Sequence, residues 1–144
     1  MIPTFEKRAA TFDNVVLLGS RLLLAWIFLH EGATLAANFS AAAGGMAKLG
    51  VPAPALVAVI AWQLAGGLAI TLGYGARAGA AGLGLFCLTT ALLFHTNFAS
   101  QNEMLHFEKD LAIAGGMFVL MVRGAGTLSL RGVYQARKLA GAPA

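Results

Sequence analysis

The sequence predicts an all-α integral membrane protein, a four-helix transmembrane bundle with both termini in the cytoplasm. Three observations carry this reading. Long apolar runs alternate with short polar stretches, basic residues gather on alternate connections, and small residues recur at helix-packing intervals. Of the 144 residues, 58% are hydrophobic and 11% charged, and the mean hydropathy is +0.75. A soluble domain of this size has too little interior to hide so much apolar side chain, whereas a bilayer accepts it.

The elements follow in chain order. Residues 1–14 are polar and mixed in charge, and read as an interfacial helix. Phe5 and Phe12 are its apolar side, and Lys7 and Arg8 reach toward lipid phosphates. The first apolar run, at 15–37, meets the ~20 residues needed to cross hydrocarbon and is long enough to stay in the membrane, with no cleavable leader evident. A loop with Asn38, Ser40, Gly44 and Gly45 leads to Gly50-Val51-Pro52-Ala53-Pro54, whose prolines open a second span at 55–72. Gly73-Tyr74-Gly75-Ala76-Arg77 makes a tight turn into a third span at 78–98. A polar connection then leads to a fourth at 107–123, which carries Glu108, Lys109 and Asp110 into the interface. Residues 138–144 read as a flexible tail.

Charge fixes the orientation. Lys7, Arg8, Arg77, Arg123, Arg131, Arg137 and Lys138 fall on one set of connections, while the other set offers Lys48 and Lys109 beside Glu103, Glu108 and Asp110. Basic residues stay on the cytoplasmic side, so an even number of spans places both termini there. The net charge of +4 and pI of 9.7 do not mark a nucleic-acid binder, because no dense basic patch with interleaved aromatics exists. The single cysteine, Cys87, excludes an internal disulfide and a CxxC redox pair, and reads as a small buried hydrophobe. Gly66–Gly67, Gly75-x-x-x-Gly79, Ala80-x-x-x-Gly84 and Gly115–Gly116 mark close helix contacts.

Ionisable groups within a span are expensive, so each one calls for an explanation. Arg21 shares a face with Ala25, Phe28 and Gly32. It either snorkels or bonds neighbouring carbonyls, or it holds an anionic head group or cofactor. Glu31 borders that face and is the candidate inward group, while the adjacent His30 points about 100° away. Gln63 lies on a stripe with Gly67 and Ile70, where it either bonds a neighbouring helix or orients a ligand. His95 follows the small-residue stripe Ala81, Gly84, Leu88 and Ala91. Asp110 heads the stripe Ala114, Met117 and Met121, with Glu103, His106 and Glu108 just before it. The spacing matches no metal motif. Two histidines with several carboxylates in the outer half of the molecule suit either a metal or a proton relay to a reducible group, and quinone head groups sit near that depth. The candidate catalytic residues are His95, Asp110 and Glu31. Those for cofactor binding are Arg21, Gln63 and His106, with quinone the candidate ligand. Ordinary interfacial polarity is the competing reading.

The order of motifs resembles the DoxX family of small bacterial membrane proteins. Arg21, Phe28 and Gly32 are similar to its opening Arg-Phe-Gly helix. Gly50-Val51-Pro52, then Gln63-Leu64-Ala65-Gly66-Gly67-Leu68, then Gly73 and Arg77 resemble its Gly-Pro, Glu-x-x-Gly-Gly-Leu and Gly-x-x-Thr-Arg run. Phe94-His95 with Phe98, and the block from His106 to Gly116 followed by Gly124-Ala125-Gly126, complete the match over about 18–130. Gln63 stands where the family usually has Glu, Asp110 where Asn is usual, and a Lys common after the first helix's Gly is missing. The resemblance implies a four-helix membrane fold and a link to redox biology, since relatives include a subunit of thiosulfate:quinone oxidoreductase. The leading expectation is a membrane subunit of a redox system that meets quinone and an oxidoreductase partner at the outer face. The alternatives are a non-catalytic anchor or assembly subunit and, further off, a small-solute or metal permease. The small-residue faces suit a homo-oligomer or a larger membrane complex.

Overall fold

A computed structural model describes residues 4–141, and within them the chain is helical, with no strand. Six helices follow one another: α1 (Thr4–Ala37), α2 (Phe39–Lys48), α3 (Ala53–Leu72), α4 (Ala76–Phe94), α5 (Gln101–Arg123) and α6 (Leu130–Ala140). Three stretches are long and apolar enough to cross a membrane: Thr11–Ala37, Ala53–Leu72 and Ala76–Phe94. α5 has 23 residues, enough to cross by length at about 1.5 Å per residue. Its first half, however, carries Glu103, Glu108, Lys109 and Asp110.

Local chemistry sets the helix ends. Pro52 caps α3 and Pro54 sits in its first turn, where a missing N–H costs nothing. Gly73 and Gly75 both have a φ of 71°, so the α3–α4 turn needs residues without a Cβ. Ser129 caps α6 by accepting a hydrogen bond from the Gly132 N–H at 3.0 Å. In three regions the helices extend further than the sequence reading. The stretch taken as an interfacial helix continues without a break into α1, while the side chains of Lys7 and Arg8 lie outside the described residues. α2 and α6 are helices where a loop and a charged terminal segment were expected, and α6 takes in residues 138–140.

The bundle is an open chain of neighbours. α1 packs on α3, α3 on α4 and α4 on α5, while α1 and α5 barely touch. The core is built from Ala25, Phe28, Ile70, Ala80, Leu83, Cys87, Ala114, Met117 and Leu120. Leu23, Trp26, Leu92, Leu93 and Val119 point outward, a surface suited to hydrocarbon. Glycines allow the close approaches. A Cβ on Gly66 would meet the side chain of Leu83, and one on Gly84 would lie 2.9 Å from Phe118 Cε1 and 3.1 Å from Met117 Cβ. Gly84→Val is therefore expected to destabilise the bundle by about 1–3 kcal/mol. Gly115→Val, at a site with open space, should melt close to the parent in the same detergent. Equal melting temperatures for the two variants would refute the close packing of α4 on α5.

Candidate functional site

At the end of the bundle away from α6 lies a cavity of about 400 Å3, half open to the surroundings. Its walls are apolar, with Ile27, Phe28, Leu35, Phe86, Phe94 and Ile113, and its polar groups are Glu31, Gln63, Thr90, His95, His106, Lys109 and Asp110. An apolar chamber with a few convergent polar groups is the usual form of a small-molecule site. Five of the six residues singled out from the sequence meet there.

Each is placed by helix geometry. Gln63 is 5% exposed and shares its buried stripe with Gly67 and Ile70. It borders the cavity, and no hydrogen bond links its amide to any described residue. Glu31, on the facing side of α1, also has no hydrogen-bond or ion-pair partner among the described residues. An amide that opens on a cavity without a protein partner is free to bond a ligand or solvent there.

The remaining groups gather along α5 and the facing end of α4. Glu103, His106 and Asp110 are spaced three and four apart, which puts them on one helix face. His95, at the C-terminal cap of α4, holds Nδ1 2.8 Å from Glu103 Oε2. Its ring stacks on that of His106 at 5.1 Å between centroids and 22° between planes. Lys109 Nζ donates to His106 Nδ1 at 3.1 Å. Farther in, Thr90 Oγ1 donates to Asp110 Oδ2 at 2.9 Å, with the Phe86 and Cys87 carbonyls also within reach at 3.1 and 3.0 Å. One hydroxyl proton cannot serve all three, and the carboxylate is the strongest acceptor. Glu103, His95, His106 and Lys109 thus form one cluster and Thr90 with Asp110 a second, and no hydrogen bond joins the two among the described residues. Among the described residues, no group of three or more His, Cys, Asp or Glu is arranged to hold a metal ion.

Arg21 stands apart. It is 2% exposed near the opposite end of the bundle. Nη1 donates to the Ala125 carbonyl at 2.6 Å, and Nη2 donates to those of Leu128 at 3.0 Å and Thr71 at 3.2 Å. A Cβ on Gly73 would collide with this guanidinium. Arg21 thus ties α1 to the end of α3 and to the loop before α6. His30 is exposed and tilts against Trp26, with ring centroids 5.8 Å apart. Thr90 and Lys109 were not singled out as site residues. Thr90 belongs to the α4 stripe of Leu83 and Cys87, a signal that helical spacing carries.

The family model for DoxX matches residues 16–96. This chain belongs to the DoxX family. The matched part takes in the later part of α1 and all of α2, α3 and α4, with Glu31, Gln63, Thr90 and His95, while His106, Lys109 and Asp110 lie beyond it. Similarity to individual proteins covers more of the chain. The chain is 36% identical over 118 residues to the inner membrane protein YqjF of Escherichia coli K12, covering 82% of this chain and 91% of that one. It is 32% identical over 123 residues to the inner membrane protein YphA of the same organism, covering 81% and 88%. No solved structure matches. With three apolar helices able to span a bilayer and inner membrane relatives, this DoxX protein is a multi-pass protein of the bacterial inner membrane.

Proposed function

We propose that this DoxX protein is the membrane subunit of a redox system, and that the cavity between α1, α3, α4 and α5 receives a quinone head group. One observation carries the reading. Gln63 and Glu31 face an apolar chamber with no hydrogen-bond partner among the described residues, beside a group of histidines and carboxylates. The Gln63 amide is a donor for a ring carbonyl, and the aromatic walls suit a flat ring. Reducing a quinone to a quinol takes two electrons and two protons. An oxidoreductase partner at the outer face supplies the electrons, and His95, His106 and Asp110 pass the protons inward. Arg21, held by three carbonyls, acts here by fixing the fold rather than by touching the ring.

In this reading α5 is the fourth span. Arg77, Arg123, Arg131, Arg137 and Lys138 belong to the cytoplasmic end with both termini, and the cavity opens toward the outer face. The protein works within a homo-oligomer or a larger membrane complex, its apolar surface against lipid. A second reading, a non-catalytic anchor, is favoured by the fact that His95 and Asp110 already have protein partners.

The two separate on binding. A short-chain ubiquinone titrated against the detergent-solubilised protein should bind with a micromolar dissociation constant, and His95→Ala should weaken it roughly tenfold. Absence of binding to the parent protein would leave the anchor as the better reading.

A further inference from the structure

A second constellation lies at the opposite end of the molecule and does not depend on the cavity. Arg77, Arg123 and Arg131 line one pocket of about 500 Å3, roofed by α6 and floored by the loop of residues 124–129. They come from three places in the chain: the first turn of α4, the last turn of α5 and the first turn of α6. None of the three has a hydrogen-bond or ion-pair partner among the described residues. Like charges repel, so three guanidinium groups on one pocket without an acid between them raise the energy of the empty site. The floor is bare backbone. Gly124 and Gly126 have φ of 77° and 72°, and a Cβ on Gly124 would lie 2.9 Å from Arg77 Nε. Glycine there lets the guanidinium lie flat over the loop.

A groove of about 680 Å3 between α1 and α5 adjoins this pocket and shares Asn14 and Arg123 with it. Val16, Leu17, Leu24, Val119 and Val122 give it an apolar lining, and Asp13 is its acidic member. α6 adds a third feature. Leu130, Val133 and Tyr134 are exposed beside Arg131, Arg137 and Lys138, the composition of a helix lying in the plane of a membrane surface.

We infer that this end of the protein is a binding site for one anionic phospholipid, its phosphate held by Arg77, Arg123 and Arg131 and an acyl chain lying in the α1–α5 groove. Guanidinium forks match phosphate oxygens in geometry and charge. The adjoining apolar groove favours a lipid over a soluble anion, because a free phosphate has nothing to place there.

Native mass spectrometry of the full chain in mild detergent, titrated with phosphatidylglycerol and with phosphatidylcholine, tests the site. Phosphatidylglycerol should bind at least tenfold more tightly. Arg77→Gln with Arg131→Gln should weaken it by roughly fivefold for each arginine removed. Arg137→Gln with Lys138→Gln, which removes the same charge outside the pocket, should change it less than twofold. Val119→Trp, which fills the groove and keeps every arginine, should lower phosphatidylglycerol retention on its own. Equal weakening by the two double substitutions would mean a diffuse surface potential and would overturn the site, as would equal binding of the two lipids. Displacement of the lipid by millimolar glycerophosphate would assign the arginines to a soluble anion and overturn it as well.

Discussion

Arg21→Met is expected to destabilise the protein by about 3 kcal/mol, since stranding each carbonyl costs about 1 kcal/mol or more. The substitution keeps an unbranched chain of similar length but removes every donor to the carbonyls of Ala125, Leu128 and Thr71. Arg21 Nε is already without a partner, so the parent protein bears part of the burial cost of the guanidinium. The net loss therefore sits at the low end of what three such bonds could contribute. Arg21→Lys should recover only part of it, because a single ammonium cannot reproduce the planar fork that reaches three oxygens. Thermal unfolding in detergent measures the loss. Trypsin cleavage at Arg123 and Arg131 reports separately whether the 124–129 loop has come free. A Met variant that melts with the parent and resists trypsin equally would show that these carbonyls are satisfied in another way.

Gln63→Leu is expected to do the reverse on stability and to damage function. The amide at position 63 opens on the cavity with no hydrogen bond to any described residue. Replacing it by an apolar side chain of similar size breaks no hydrogen bond and removes a polar group from an apolar wall, so stability should hold or rise by about 1 kcal/mol. Quinone affinity should fall about tenfold, the worth of roughly one hydrogen bond. The opposite signs are the informative part. A Gln63→Leu protein that melts lower and binds quinone as well as the parent would mean that Gln63 serves the fold and that the cavity is not organised around it.

Much of this architecture was legible before any coordinates. The apolar runs correspond to α1, α3 and α4 because a lipid-facing helix needs no amphipathic pattern, only length. The stripes of Arg21, Gln63 and Asp110 run with buried neighbours, as helical spacing requires: Ala25 and Phe28, Gly67 and Ile70, Ala114 and Met117. The partners of these residues were not legible. Arg21 bonds carbonyls 50 to 107 positions away, and carbonyls carry no side-chain signature. The stacking of His95 on His106 depends on the path of residues 96–100, which sequence spacing leaves open. α2 was hidden by Asn38, Gly44 and Gly45, residues that usually punctuate loops. α6 was detectable, since Leu130, Val133 and Tyr134 recur at helical spacing behind a Ser129 cap.

The sparse contact between α1 and α5 bears on how any ligand of the cavity would be counted. Both helices contribute to the cavity wall, and the seam between them is held at few points, one of them Leu24 against Gly116. A hydrocarbon-soluble molecule can then arrive sideways, out of the bilayer, without first dissolving in water. Its supply is set by its mole fraction among the lipids, and expanding the aqueous volume around the same vesicles should leave occupancy unchanged. Diluting the ligand with inert lipid should empty the cavity. Affinities for such a protein are therefore best expressed per lipid, and they shift with the composition of the membrane that carries it.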